Sequence, residues 1–112
     1  MNPEDALPLR PVILSVLLAL KDGPRHGYEV LESVESEQRL PSFLGPGSLY
    51  RTLKEMRERG LIEYRDPPAD EDDRRRHYHG LTELGARVLE AEAFRLQEAF
   101  ERSGLVPPEE PA

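Results

Sequence analysis

Three stretches in the first half of the chain carry apolar residues at helical spacing. Residues 9–21 are apolar on nearly every side, and Gly23-Pro24 ends this first predicted helix, because proline cannot continue a helix. Residues 26–38 place valine and leucine on one face and glutamate on the other, which predicts a second, amphipathic helix. A helix that is apolar all round needs cover on more than one face, and so small a chain provides only part of it.

The third predicted helix spans residues 48–59. It follows a linker, residues 40–47, that is rich in proline and glycine. Leu49, Leu53 and Met56 recur at i, i+4 and i+7, so they form one stripe that faces the core.

Beyond the third helix the pattern changes to period two. Residues 62–65 alternate in this way, as do residues 77–79, and a polar, acidic stretch separates them, which predicts a β-hairpin with a long polar tip. Thr82 then begins a final helix, predicted to run from Glu83 to Ser103, a length of roughly 31 Å at 1.5 Å per residue.

This order of elements is typical of a winged helix-turn-helix, in which the third helix enters the major groove and the hairpin contacts the flanking backbone. The predicted fold is mainly α with a minor β part: three helices, a two-stranded β wing and a long C-terminal helix. We divide the chain into a disordered lead (1–8), the winged domain (9–81), a dimerisation helix (82–105) and a loose tail (106–112).

The last predicted helix carries two apolar stripes. The first is formed by Leu81, Leu84, Val88 and Ala91, and the second by Leu89, Ala93, Leu96 and Phe100. Both stripes can lie on one broad face within the chain, but the helix is longer than so small a domain can cover, which favours a homodimer. The two recognition helices of such a dimer would lie about one DNA turn, 34–36 Å, apart.

Composition limits the classes of function. The chain has 112 residues, the size of one domain, of which 38% are hydrophobic and 33% are charged. It contains no cysteine, which excludes disulfides, thiolate zinc sites and cysteine nucleophiles. The longest apolar run, Val12–Leu20, is interrupted by Ser15 and is too short to cross a bilayer. We therefore expect no membrane segment and no signal peptide, and a cytoplasmic protein.

The formal net charge of −7 argues at first against a nucleic-acid partner. The charges are unevenly distributed, however. Residues 47–80 hold eight basic and eight acidic side chains, so the acidity lies in the two flanks. This distribution is compatible with DNA binding by the middle of the chain.

The outward side of the third predicted helix is the first candidate for DNA contact. It presents Ser48, Arg51 and Lys54, with Tyr50 alongside. Arginine and lysine reach phosphates or the guanine edge, and the free N–H groups of a helix N-terminus favour an anion. A solvated face with one or two ion pairs explains the same pattern, and this helix alone favours that interpretation.

The predicted hairpin contains three consecutive arginines, Arg74, Arg75 and Arg76, and these favour DNA contact over a merely solvated surface. Three consecutive guanidinium groups repel one another unless anions lie near. They pair either with the acidic run Asp70–Asp73, in contacts that are weak when exposed, or with the phosphate backbone, which suits arginine better. We favour phosphate, with the neighbouring carboxylates shielding the arginines when DNA is absent.

The histidines raise the question of a metal site. His77 and His79 lie two residues apart and share a strand face, which is possible ligand spacing, whereas His26 is distant in sequence. The pattern fixes no carboxylate or cysteine near them, so we predict no metal site. The sequence shows no glycine-rich phosphate loop and no compact set of catalytic residue types, so we predict no catalysis and no cofactor.

Five motifs follow one another along residues 9–90. They are Leu17-Leu18-Ala19-Leu20, Gly23-Pro24-Arg25-His26-Gly27-Tyr28-Glu29-Val30, Gly47-Ser48-Leu49-Tyr50-Arg51-Thr52-Leu53, Glu58-Arg59-Gly60-Leu61-Ile62, and Arg74 through Leu81-Thr82-Glu83-Leu84-Gly85. In this order and spacing they resemble the PadR family of transcriptional regulators. The His-Gly-Tyr turn and the Gly-x-Leu-Tyr-x-x-Leu start of the third helix are specific when taken together.

The resemblance implies a homodimer that binds a palindromic operator in double-stranded DNA, usually as a repressor, and that a small ligand or a stress signal releases. The DNA contacts that it implies are Tyr28, Ser48, Tyr50, Arg51, Lys54, Arg75 and Arg76. The single C-terminal helix is similar to that of the shorter PadR proteins, in which this helix and the first one form the dimer interface. The dimer contacts predicted on these two helices are Leu14, Leu17, Leu89, Leu96 and Phe100.

The chain departs from the family pattern at two points. His79 and Gly80 stand where many relatives have an aromatic and a polar residue, so we expect the last strand to be weak or kinked. The chain also has no tryptophan, so a drug pocket built on stacked indoles does not carry over.

A repressor that responds to a ligand or to stress is the function we favour. The alternative is a winged-helix dimer that serves as a protein-interaction module without binding DNA, which the net charge and the acidic wing tip support. A MarR-type regulator fits the fold but not the His-Gly-Tyr turn. The effector is unknown, and the position of Phe94 and Phe100 suggests an apolar cavity at the dimer interface.

Overall fold

The computed structural model describes residues 2–37, 46–73 and 75–108. Its elements are a 3-10 turn at Pro3–Ala6, α1 (Pro11–Leu20), β1 (Arg25–His26), α2 (Gly27–Glu37), α3 (Pro46–Glu58), β2 (Ile62–Arg65), β3 (Tyr78–Leu81) and α4 (Glu83–Ser103). This confirms the mainly α winged-helix fold and the order of its elements. Of the predicted linker 40–47, residues 40–45 lie outside the described residues, and α3 already begins at Pro46.

The sheet has three strands, not the two that the sequence predicts. β3 lies in the middle and pairs antiparallel with β2 on one side and with β1 on the other. In the β1 pairing, Arg25 lies opposite His79 and His26 lies opposite Tyr78. The prediction missed β1 because two residues between a helix end and a helix start carry no period-two signal. His26 accordingly belongs to the sheet, and α2 begins one residue later than predicted.

A single core forms around α1. Its members are Ile13, Val16, Leu17, Ala19, Leu20, Val30, Val34, Leu49, Leu53, Met56, Leu61, Ile62 and Val88. They include the predicted α3 stripe, whose three side chains are at most 1% exposed. The chain's own α2, α3, α4 and β3 therefore cover most of α1, and Val12, Leu14 and Leu18 remain half-buried.

The start of α4 is held tightly against the winged domain. The Thr82 hydroxyl accepts a hydrogen bond from the Gly85 N–H (2.9 Å), as the predicted cap requires, and also donates to the Gly60 carbonyl. A Cβ at Gly85 would lie 1.9 Å from the Leu61 carbonyl oxygen, so only glycine permits this approach. The first turn of α4 is thus anchored to the winged domain.

The described residues before α1, from Asn2 onward, pack against the rest of the chain, whereas the sequence predicts a disordered lead over residues 1–8. The 3-10 turn packs against α4, and Ala6, Leu7 and Leu9 pack against the core. The Leu9 N–H donates to the Glu92 carboxylate on α4. The prediction missed this segment because its apolar residues, separated by prolines, follow neither helical nor strand spacing.

β3 runs through Gly80 with its ladder to β2 intact, although the sequence predicts a weak or kinked strand. The side chain of Arg65 lies over this glycine, where an added Cβ would come within 3.0 Å of the Arg65 Cγ and Nε atoms. Arg65 also donates to the Leu81 carbonyl (2.7 Å). The missing side chain is therefore replaced by an arginine from the neighbouring strand.

The chain leaves α4 at Gly104 and is irregular and exposed through residues 105–108. Within the described ranges, no helix combines the length and the apolar character that a membrane span requires.

Candidate nucleic-acid interface

The outward face of α3 carries the predicted DNA-contact side chains. Tyr50 is 56% exposed, and Arg51 and Lys54 are exposed beside it. Arg51 donates to the Ser48 hydroxyl (3.0 Å), and Lys54 lies 4.0 Å from the Glu58 carboxylate. Such exposed contacts are weak, so both cations are available to an external anion.

The His-Gly-Tyr turn lies directly against α3. The Tyr50 ring covers Gly27, and a Cβ at this glycine would lie 3.0 Å from the Tyr50 Cε1 atom. A larger residue would displace the ring. Tyr28 follows at the start of α2 and is 63% exposed, so the turn brings two tyrosine side chains to one surface.

Two of the wing arginines, Arg75 and Arg76, are paired with acids of their own loop. The Arg75 Nε atom lies 3.1 Å from the Asp73 carboxylate, which also accepts the Arg75 N–H (3.0 Å). Yet the Arg75 side chain remains 92% exposed. These hydrogen bonds from Arg75 lower the pKa of Asp73 below its ordinary value, so the carboxylate is ionised.

A second acid, Glu71, lies deeper in the loop. Its carboxylate accepts hydrogen bonds from the Tyr78 hydroxyl and the Asp73 N–H, and lies 3.8 Å from Arg76. The bond from Tyr78 contributes most to lowering the pKa of Glu71. The same bond raises the pKa of Tyr78 to about 12, because loss of the phenolic proton would place two anions together.

His26 and Arg76 meet where the turn joins the wing. The Glu29 N–H donates to the Nδ1 atom of His26 (3.3 Å), and the Nε2 atom of His26 lies 3.0 Å from the Glu29 carboxylate. The Nη1 atom of Arg76 lies 2.9 Å from the same Nε2. The Arg76 side chain is 48% exposed, so it remains accessible to an external anion.

A cleft of about 280 Å³ lies where the turn, α3 and the wing meet. It is lined by His26, Gly27, Tyr28, Tyr50, Arg75, Arg76 and His77. Two guanidinium groups and two phenols therefore surround one opening. This set of donors suits a phosphate group.

Four of the predicted DNA contacts thus meet at this cleft, namely Tyr28, Tyr50, Arg75 and Arg76. Ser48, Arg51 and Lys54 lie along the adjoining face of α3 and do not line the cleft. Arg74 lies outside the described residues. No sequence pattern predicts the packing of Tyr50 on Gly27 or the contact between His26 and Arg76, because both join residues far apart in the chain.

The other face of the wing holds an aromatic cluster that the sequence does not predict. The Cζ atom of the Arg57 guanidinium lies 4.5 Å from the centroid of the Tyr64 ring. The centroids of the Tyr64 and His79 rings are 5.1 Å apart. His79 is 2% exposed and accepts from Arg57 through Nε2 (2.9 Å), and its Nδ1 has no hydrogen-bond partner among the described residues. Burial, and then the charges of Arg57 and His77, lower the pKa of His79 to about 4.

The residues predicted for dimerisation occupy different environments. Leu17 is fully buried in the chain's own core and has no surface left for a second copy. Leu14 and Leu89 are half-buried. Leu96 and Phe100 are 42% and 44% exposed on the far half of α4.

The two residues offered for an effector are exposed but do not share a face of α4. Phe94 and Phe100 are 62% and 44% exposed, and the helical repeat places them about 120° apart around the helix axis. The two rings therefore do not face each other within one chain, so a cavity that uses both requires a second copy.

Two comparisons of sequence bear on this interface. The model of the family described as "Transcriptional regulator PadR-like family" matches residues 16–91. An uncharacterized 37.1 kDa protein in transposon TN4556 of Streptomyces fradiae is 41% identical over 81 residues. That match covers 72% of this chain but 21% of the relative, so the chain spans about a fifth of the relative's length.

Solved structures share the fold. A PadR family transcription regulator from Clostridium difficile has a TM-score of 0.71 at 24% identity, covering 83% of this chain and 94% of the other. A PadR-like transcriptional regulator from Bacillus cereus has a TM-score of 0.70 at 21% identity, covering 82% and 86%. At these identities the likeness establishes the winged-helix architecture alone.

Proposed function

Because the chain belongs to the PadR-like family of transcriptional regulators, as its motifs predict, we propose that it binds a palindromic operator as a homodimer. In this proposal it is a repressor that a small ligand or a stress signal releases from DNA, in the cytoplasm. The observation that carries the proposal is the convergence of Tyr28, Tyr50, Arg75 and Arg76 on one cleft beside the recognition helix.

In this proposal the two parts of the interface have different tasks. α3 enters the major groove, where Arg51 and Lys54 contact base edges or phosphates. The cleft receives a phosphate of the flanking backbone, which exchanges the weak contacts of Arg75 and Arg76 for charge-assisted hydrogen bonds. The phosphate contacts thereby set the position of α3 in the groove.

The far half of α4 supplies the dimer contacts in this proposal. Leu96 and Phe100 form an exposed apolar patch on one face of a helix whose near half is packed on its own chain, and Phe94 is exposed on another face. Burying such a surface against a second copy removes apolar area from water. A two-fold dimer then presents its two recognition helices to two half-sites one DNA turn apart.

The test is a band-shift titration with duplexes that the parent protein selects from a random-sequence pool. Arg51→Ala combined with Lys54→Ala should weaken binding at least tenfold, while sedimentation shows an unchanged dimer. The matched control is Lys21→Ala with Arg87→Ala, which removes the same charge from α1 and α4, outside the interface. If the α3 variant binds as tightly as the control, the assignment of the recognition helix is wrong.

A protein-interaction module that does not bind DNA is the second candidate. It is favoured by the net charge of −7 and by the pairing of Arg75 and Arg76 with Asp73 and Glu71. Binding through phosphates weakens steeply with salt concentration, so a titration from low salt separates the two candidates. The module is supported if the protein selects no duplex from the pool even at the lowest salt concentration.

A further inference from the structure

Glu92 is a charged side chain in an unusual position. It lies on α4 and is 1% exposed, whereas ionised carboxylates are almost never fully buried unless they are paired. Its Oε2 atom accepts from the Leu9 N–H (2.8 Å), and its Oε1 atom accepts from Arg95. The bond from Arg95, with a smaller effect of the Leu9 N–H, lowers the pKa of Glu92 below its ordinary value.

The segment that Glu92 binds also reaches the recognition helix. Residues 2–10, which we call the N-terminal strap, pack along α4 through the 3-10 turn. Arg10, at the end of the strap, forms an ion pair with Glu55 on α3, and Glu55 lies 3.9 Å from Arg59 on the same helix. One short segment therefore joins the helix proposed for dimerisation to the helix proposed for DNA recognition.

We infer that the N-terminal strap fixes the angle between α4 and α3, with Glu92 as its positioning residue, and thereby sets the half-site spacing that the dimer accepts. The inference rests on the proposed operator binding. In a two-fold dimer held together by α4, the separation of the two α3 helices depends on the angle that each makes with its own α4. The strap contacts both helices and so restricts this angle. Its contact with α4 is the hydrogen bond from the Leu9 N–H to the buried Glu92 carboxylate, and its contact with α3 is the ion pair between Arg10 and Glu55.

The two ends of the strap can be released separately. Glu92→Met replaces the carboxylate with an apolar side chain of similar length and so removes the acceptor of the Leu9 N–H. Arg10→Gln breaks the contact with Glu55 at the surface, where the Arg10 side chain is 58% exposed, and leaves the core unchanged. Glu90→Gln is the matched control, because it neutralises an exposed glutamate on the same helix.

The experiment measures band-shift affinities for the selected duplex and for duplexes with one base pair added or removed between the half-sites. We expect the parent and Glu90→Gln to lose about tenfold or more on either altered duplex, comparable to a base mismatch. Glu92→Met and Arg10→Gln should bind the three duplexes within about threefold of one another. Hydrogen exchange should show faster exchange of the Leu9 amide in Glu92→Met.

Several outcomes overturn the inference. A uniform loss of affinity for all three duplexes in Glu92→Met would mean that Glu92 only stabilises the fold. If both strap variants keep the spacing preference of the parent, the strap does not set the half-site spacing. If Glu92→Met does not fold, Arg10→Gln alone decides. If the parent protein selects no duplex at all, the proposed function fails, and that result is distinct from a failure of the strap.

Discussion

The two faces of β3 differ in charge, although they are formed by consecutive residues, Tyr78 and His79. One face carries ionised side chains, and the other carries a neutral buried imidazole. On the Tyr78 face, beside the cleft, the phenol donates to Glu71, and Glu71 in turn lies 3.8 Å from Arg76. On the His79 face a buried ring, held next to Arg57, is kept neutral. One strand thus separates a charged surface suited to phosphate from a packing surface that contacts α3.

The His79 face should show the largest effect, a loss of stability in acid. Because the pKa of His79 is about 4 in the folded chain and ordinarily 6.5, only the unfolded chain takes up a proton between these values. The free energy of unfolding should be highest above pH 6.5, fall by roughly 3 kcal/mol as the pH decreases to 4, and fall no further on this account. Urea unfolding at several pH values measures this.

The matched pair for this prediction is His79→Phe and His77→Phe. The first removes the buried imidazole and should flatten the pH dependence between pH 4 and 6.5. The second removes an exposed neighbouring ring, which is the smallest of the three causes of the low pKa of His79, and should preserve most of the dependence. An unchanged pH dependence in His79→Phe would show that the two faces of β3 do not differ in the way described.

The Tyr78 face should respond at the opposite end of the pH scale. Since the pKa of Tyr78 is about 12, against an ordinary value of 10, the unfolded chain loses this proton first as the pH rises. The free energy of unfolding should therefore fall between pH 10 and 12, and Tyr78→Phe should remove this dependence.

Absorbance titration provides an independent measurement of the same group. The chain has four tyrosines, and the parent should show one ionising near pH 12 that is missing from Tyr78→Phe. Tyr64→Phe, on the other face, should keep that step. If it is Tyr64→Phe that loses the step, the hydrogen bond to Glu71 has been assigned to the wrong phenol.

The smallest effect should come from the edge of the Tyr78 face, where Asp73 forms an ion pair with Arg75. Asp73→Asn should release Arg75 for phosphate and tighten operator binding by about two- to fivefold, the range expected for one exposed ion pair. Asp70→Asn makes the same change of charge at an exposed position in the same loop. Equal gains in the two variants would indicate a general effect of charge rather than release of Arg75.

The sequence predicts those parts of the molecule that are encoded locally. The spacing of Leu49, Leu53 and Met56 identifies the buried face of α3, and the cap at Thr82 locates the start of α4 to the residue. Period-two alternation likewise locates β2. In each case neighbouring residues alone carry the physical signal.

The parts that the sequence does not predict depend on contacts between distant residues. β1 exists only because β3 lies beside it, and the N-terminal strap is held by its packing on the core and on α4, where Glu92 accepts the Leu9 N–H. The cleft is a similar case, since the wing arginines meet the His-Gly-Tyr turn across some fifty residues of chain. Local pattern identifies the donors but not the place where they converge.

The close approach of Gly85 to Leu61 has a mechanical consequence. It makes the first turn of α4 a fulcrum, and the rest of the 21-residue helix, from Gly85 to Ser103, a lever arm of roughly 27 Å. A rotation of about 10° at the fulcrum would displace the far tip by about 5 Å, given that length. Spectroscopic distance labels attached near Ser103 would therefore magnify movements too small to detect at the wing itself.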